Sequence, residues 1–196
     1  MAHVRRRLKN GEEVLIRPIR PEDGQGLREG FERLSPESRY RRFFTLSPTL
    51  SNAQLRYLTE VDHRSHEALL AIDPETRHGL GVARFVRFCD EPSVAEVAVA
   101  VADDWQQRGL GTALLHELTA RAREEGITRF RASVLAENQA MMGFVKSLGE
   151  AHVMGHAQGL IELLMDLPDE GLPESLRHAV RAAARGDIEL ERPDRA

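Results

Sequence analysis

Three groups of residues in this 196-residue chain are of types that could do chemistry. The first is the loop Gln106-Gln107-Arg108-Gly109-Leu110-Gly111-Thr112, which leaves an apolar stretch and runs straight into a helix pattern. Glycines at a strand-to-helix turn leave backbone N–H groups unpaired at the positive end of a helix dipole, and such a turn suits a phosphate or diphosphate. The second is Glu96, the one charge between Ala95 and Ala102, where valine and alanine alternate. A lone buried carboxylate is costly unless it is paired or functional; Arg84 and Arg87 on a neighbouring strand are its candidate partners. The third is Asp62-His63-Arg64-Ser65-His66, where no further ligands stand at metal-site spacing, so no metal is expected. Cys89, the single cysteine, excludes an intramolecular disulfide and fits a reducing cytoplasm. No histidine spacing supports it as a nucleophile.

These groups need elements to position them. β-branched residues at period two predict a strand over 94–102, buried on both faces. Behind the glycine loop, Leu110, Leu114, Leu118 and Ala122 share one face of a helix that Gly126 ends. A strand over 128–135 should lie parallel to 94–102, making a βαβ unit. Asn138 caps a further helix, and strands at 152–156 and 160–167 close the fold. Upstream, a strand at 14–19 precedes a helix at 21–34 with Leu27, Phe31 and Leu34 inward. Ser35-Pro36-Glu37-Ser38 starts a second helix. Its Arg39-Tyr40-Arg41-Arg42-Phe43-Phe44 run reads as an amphipathic core face or as the wall of a substrate channel. A short helix at 54–61 turns Leu55 and Leu58 inward. Strands at 67–72 and 80–88, with 94–102, form an antiparallel meander. The fold class is therefore α/β with a mixed sheet. Residues 1–13 read as a flexible lead-in, 14–167 as the domain, and 168–196 as a helix with a charged tail.

With 41% hydrophobic and 30% charged residues the chain is globular. A net charge of −4 gives no case for a nucleic-acid partner. No apolar run reaches membrane-span length, and the basic N-terminus lacks the apolar core of a secretory signal. Of 27 basic residues only Lys9 and Lys146 are lysines.

A nucleoside-triphosphate loop would need a lysine after Gly111, and none follows. A dinucleotide fold would need a third glycine or alanine where Leu114 stands, and an acid where Arg131 stands. Gln106-x-x-Gly109-x-Gly111 after an antiparallel strand instead resembles the acetyl-CoA diphosphate loop of the GNAT (Gcn5-related N-acetyltransferase) superfamily. The order of elements is similar over about residues 14–167. Arg17-Pro18-Ile19-Arg20-Pro21-Glu22-Asp23, Leu34-Ser35-Pro36-Glu37-Ser38-Arg39-Tyr40 and Arg42-Phe43-Phe44 are also similar to bacterial Pat-type protein lysine acetyltransferases.

The resemblance implies a GNAT-like fold, a meander plus a parallel βαβ unit, in which the family's fourth and fifth strands (94–102 and 128–135) splay apart. It implies that amides of Gln107, Arg108, Gly109, Leu110, Gly111 and Thr112 bind the diphosphate of acetyl-CoA, with Arg108 adding charge. It assigns the pantetheine arm to the backbone of Val99, Ala100 and Val101, and to Asn138, which can equally be a plain helix cap. Glu96 resembles the family's glutamate base: an acceptor amine is protonated near pH 7 and must lose a proton before attack. Many relatives place a tyrosine near the leaving thiol, and the segment 139–147 has none. The implied activity is acetyl transfer to a primary amine, a protein lysine first and a small amine second. A non-catalytic acyl-CoA sensor is the rival from another class. Arg39, Tyr40, Arg42 and Asp62 are the acceptor-site candidates, with Glu37 and Glu60 as further acids. A homodimer and a tail that covers the site both stay open.

Overall fold

The computed structural model describes residues 3–43, 49–136, 151–157 and 159–167, with the side chains of 41–43, 151 and 157 left aside. One eight-stranded sheet runs in the order β1-β2-β3-β4-β5-β6-β8-β7. Its strands are β1 Val4–Arg7, β2 Glu13–Pro18, β3 His66–Ile72, β4 Gly79–Arg87, β5 Val94–Val101, β6 Arg129–Leu135, β7 Ala151–Ala157 and β8 Leu160–Asp166. All neighbours are antiparallel except β5 and β6, which are parallel. The helices are α1 Gly24–Arg33, α2 Pro36–Phe43, α3 Asn52–Thr59 and α4 Leu110–Glu124. The expected meander and βαβ unit are both present. None of the described helices is long and apolar enough to cross a membrane.

The core lies between the sheet and α4. Leu110, Leu114, Leu118 and Ala122 recur every four residues and are all buried against Ala83, Phe85, Ala95 and Phe130. The helix sits close because β4 carries glycine where it crosses. A Cβ on Gly81 would stand 3.0 Å from the Ala100 carbonyl oxygen and 3.1 Å from Leu114 Cδ1. On the opposite face α1 and α3 pack together through Leu27, Phe31, Leu55 and Leu58, joined by Leu50 just before α3, and Leu27 packs against the Leu15 and Leu70 cluster of the sheet. Ser51 caps α3 by accepting from the Gln54 amide, as a serine at that position does.

Two expectations are corrected. Within the stretch expected as a flexible lead-in, Val4–Arg7 instead pairs along β2, and Arg6 donates to Glu117 on α4 at 2.7 Å. β5 is not buried on both faces. Val94 and Ala95 are buried, but the strand is half-buried from Val97 onward and Glu96 is exposed. Val97, Val99 and Val101 pack toward α4, while the alternate residues face a sheet surface that α1 and α3 leave partly open. The expected splay of β5 from β6 is present, because their ladder covers only Val94–Glu96 against Arg129–Arg131.

Candidate active site

The glycine loop is built by residues that cannot all be helical. Gln107 has φ 59° and Gly109 has φ 89°, both left-handed, so a right-handed helix cannot begin before Leu110. Gly109 occupies the N-cap with no side-chain cap, and the first bond into the helix is Ala113 N–H to the Gly109 carbonyl at 3.0 Å. The amides of Leu110, Gly111 and Thr112 therefore have no intrahelical acceptor, as at any helix start. None of them donates to another described residue. Unsatisfied amides at a positive helix end fit a phosphate group.

Gln106 anchors this loop. Its Nε2 donates to Asp103 Oδ1 at 2.9 Å, to the Val101 carbonyl at 3.3 Å and to Ser38 Oγ at 3.2 Å. Asp103 also accepts from the Ser35 amide at 2.6 Å and from Ser38 Oγ, so the start of α2 is tied to the loop. Burial would raise the Asp103 carboxyl, but the bonds from Ser38, Ser35 and Gln106 outweigh it and hold its pKa below the ordinary value. Arg108 is engaged sideways. Its Nη1 donates to both Glu12 oxygens at 2.9 and 3.0 Å, and its guanidinium lies 5.1 Å from the Trp105 ring centroid.

Beyond Glu96 the sheet opens. Ala102 N–H donates to Leu80, and Val94 accepts from Phe88, so even-numbered β5 residues turn their backbone groups to β4. Odd-numbered residues turn theirs to the gap beside β6, since these groups alternate along an antiparallel strand. Val99 and Val101 thus offer backbone groups to a ligand arm, with the Val101 carbonyl already shared with Gln106. Ala100 is the exception in the expected trio, because its backbone is spent on Val82.

Glu96 is the last β5 residue paired to β6, which puts it at the apex of that gap. It lines an open cleft of about 350 Å³ with Leu50, Gln54, Tyr57, Arg84, Val86 and Ala98. The alternative reading, in which Glu96 pairs with Arg84 or Arg87, does not hold. Arg84 donates to His66 Nε2 and to the Leu58 carbonyl, each at 3.0 Å. Arg87 lies opposite Ala95, on the other face, and donates to the Pro92 and Glu125 carbonyls. No hydrogen bond or ion pair joins Glu96 to another described residue, and an exposed carboxylate needs none. The His66 ring lies beside that of Tyr57, tilted by 40° with centroids 5.1 Å apart. Burial first, and then the Arg84 charge, push the His66 pKa down to about 4, so it is neutral near pH 7.

The acceptor-site candidates scatter. The Arg39 guanidinium lies 5.7 Å from the Phe31 ring centroid. Tyr40 is exposed on α2 and does not line the Glu96 cleft. Asp62 folds its own loop, accepting from the amides of Arg64, Ser65 and His66 at 2.8–2.9 Å. Burial opposes its charge, yet those amides prevail and lower its pKa. Glu37 and Glu60 are exposed. The Arg42 side chain, Asn138 and the segment 139–147 lie outside the described residues. Gln54 and Tyr57, which sequence reasoning passed over, stand at the cleft instead. The available signal was their i, i+3 spacing on α3, beside the inward Leu55 and Leu58. Among the described residues no group of three or more histidine, cysteine, aspartate or glutamate side chains could hold a metal ion.

The sequence model of the acetyltransferase (GNAT) family matches residues 29–149. Acetyltransferase Pat of Mycolicibacterium smegmatis is 33% identical over 91% of this chain and 55% of its own length, so the chain spans about half of that relative. Acetyltransferase PA5475 of Pseudomonas aeruginosa is 36% identical over 72% of this chain and 77% of its own. Among solved structures, the GNAT domain of S. lividans PAT is 31% identical with a TM-score of 0.77, covering 84% of this chain and 97% of that one.

Proposed function

The chain belongs to the acetyltransferase (GNAT) family, and from that premise we propose that it moves the acetyl group of acetyl-CoA directly to a primary amine, a protein lysine in the first instance. The observation that carries the reading is Glu96, an exposed carboxylate at the apex of the β5–β6 gap and in the wall of an open cleft. The coenzyme brings the acetyl group as an activated thioester. The loop amides at Leu110, Gly111 and Thr112 would hold its diphosphate, and the open backbone of Val99 and Val101 its arm. That arrangement orients the thioester along β5, in the manner of a strand added to a sheet edge.

The acceptor enters from the cleft, past Gln54 and Tyr57. A lysine amine, with a pKa of about 10.4 in water, arrives protonated near pH 7. Glu96 takes its proton, directly or through one water. The nitrogen–carbon bond then forms as the carbon–sulfur bond breaks, and the departing thiolate takes a proton from solvent. A neutral His66 suits this, because a second cation beside Tyr57 would oppose an incoming ammonium group. Residence in the cytoplasm is part of the same proposal.

The reading is tested by incubating the purified chain with acetyl-CoA, a mixture of lysine-bearing proteins and a panel of small amines, followed by mass spectrometry. Acetylated lysine side chains are expected. Coenzyme binding without any acetylated product would sink the enzyme reading in favour of an acyl-CoA sensor. Acetylation of small amines alone would overturn the choice of acceptor.

A further inference from the structure

One aromatic ring stands in the wall of the Glu96 cleft. Gln54 and Tyr57 of α3 both line it, three residues apart on one side of the helix. Gln54 is already in use: its Oε1 accepts from the Ser51 amide at 2.8 Å, and its own amide donates to Ser51 Oγ at 3.2 Å, which caps α3. Tyr57 is 59% exposed, the most open of the large apolar side chains among the described residues. Its immediate neighbour carries no charge. Arg84 Nη1 lies 3.0 Å from His66 Nε2, and a guanidinium can only donate, so Nε2 accepts, the proton sits on Nδ1 and the imidazole beside Tyr57 is neutral. Arg84 itself is buried, with Nη2 donating to the Leu58 carbonyl. Among the described lining residues Arg84 and Glu96 are the charged ones, so the cleft offers a visitor one exposed carboxylate and one exposed ring.

We propose that Tyr57 is the specificity-determining residue for the acceptor, selecting a cationic alkyl amine by receiving its ammonium group and methylene stem on the ring face, an inference that rests on the acetyl-transfer reading above. The face of an aromatic ring is negative and attracts an ammonium group within about 6 Å of its centre. A neutral His66 leaves that attraction unopposed from its side. Glu96 draws the same group from the β5 wall, so the amine is held between ring and carboxylate before it loses a proton. The nitrogen is positive on arrival, and it becomes positive again as its lone pair joins the acetyl carbon. The ring therefore favours the bound amine and the transition state alike. Such uniform binding lowers KM and leaves kcat where it is. Tyr57 acts on binding, and its hydroxyl is not needed.

Steady-state kinetics with acetyl-CoA and Nα-acetyl-lysine amide, whose single amine is the side chain, tests this in wild type, Tyr57→Phe and Tyr57→Leu. Tyr57→Leu keeps an apolar side chain but loses the ring, and its KM for the amine should rise about fivefold, the weakening expected for one cation–π contact at a largely exposed ring. Its kcat should stay near that of wild type, and Tyr57→Phe should match wild type in both constants. Nε-trimethyllysine, a permanent cation with no proton to give up, should inhibit competitively against the amine, about fivefold more weakly in Tyr57→Leu. An unchanged KM and inhibition constant in Tyr57→Leu overturn the proposal and leave the acetyl-transfer reading standing. A fall in kcat in Tyr57→Phe makes the hydroxyl part of the chemistry and overturns it as well. So does a lower melting temperature in Tyr57→Leu with kcat and KM displaced together, which is the mark of a packing role. A wild type that transfers no acetyl group to any amine removes both the proposal and the functional reading.

Discussion

Replacing Gly81 with alanine presses α4 away from the sheet. The new Cβ would lie 3.0 Å from the Ala100 carbonyl oxygen, 3.1 Å from Leu114 Cδ1 and 3.5 Å from Leu110 Cδ2. The first two contacts are a few tenths of an ångström too short. Neither neighbour yields alone, because the oxygen belongs to the β4–β5 ladder and Leu114 is fully buried. Overpacking of this kind costs about 1–3 kcal/mol. Removing glycine's freedom from the unfolded chain offsets roughly 0.4–1 kcal/mol. The net expectation is a loss of about 1–2 kcal/mol, or a melting temperature roughly 2–8 °C lower for a chain of this size. Leu110 and Leu114 belong to the first turns of α4, whose leading amides face the expected diphosphate, so coenzyme affinity should fall with stability. Urea unfolding should show a lower midpoint at unchanged slope, and calorimetry should show weaker acetyl-CoA binding. A Gly81→Ala protein as stable as wild type, with unaltered coenzyme affinity, would refute the close seating of α4 on β4.

His66 makes the fold sensitive to acid. Its pKa is about 4 in the folded protein and about 6.5 in an unfolded chain, so between those values the unfolded state binds more protons. Stability should therefore decline as pH falls from 6.5 toward 4, by about 1–2 kcal/mol after allowance for solvent screening at a half-exposed ring. Urea midpoints across that range should slope less in His66→Asn, and equal slopes would rule out His66 as the source. Asp103→Asn should loosen the tie between α2 and the glycine loop, costing about 1 kcal/mol and raising the Kd for acetyl-CoA several-fold. Because the Asp103 pKa is lowered in the fold, its contribution is present above about pH 3.8 and lost as pH falls through the folded value; unchanged binding in Asp103→Asn would contradict the tie.

Local pattern made part of this site readable. The four-residue recurrence from Leu110 to Ala122 gave α4, and glycines before it gave the loop, because both signals are contained in one short segment. Glu96 stood out as a lone charge, but its surroundings did not. Alternating valine and alanine looks two-sided, whereas only the valine face meets α4 and the other borders a cleft shaped by α3. The missed β1 has a different cause. Val4-Arg5-Arg6-Arg7 carries almost no apolar signal, and it becomes a strand through pairing with β2 and through the ion pair of Arg6 with Glu117. Gln54 and Tyr57 were missed because their place depends on how α3 packs over β4 and β5. The half-buried His66 and the buried Arg84 depend on one another, a pairing eighteen residues apart that only the β3–β4 register brings together.

The most direct measurement is kcat/KM against pH for wild type and Glu96→Gln, with an acceptor identified by mass spectrometry. If Glu96 takes the acceptor's proton, the variant should be slower by about 10²–10⁴-fold near pH 7. That gap should narrow as the pH approaches about 10.4, where a lysine amine is already free. Equal rates at pH 7, or a deficit that stays constant across the whole range, would contradict the assignment of Glu96 as the base.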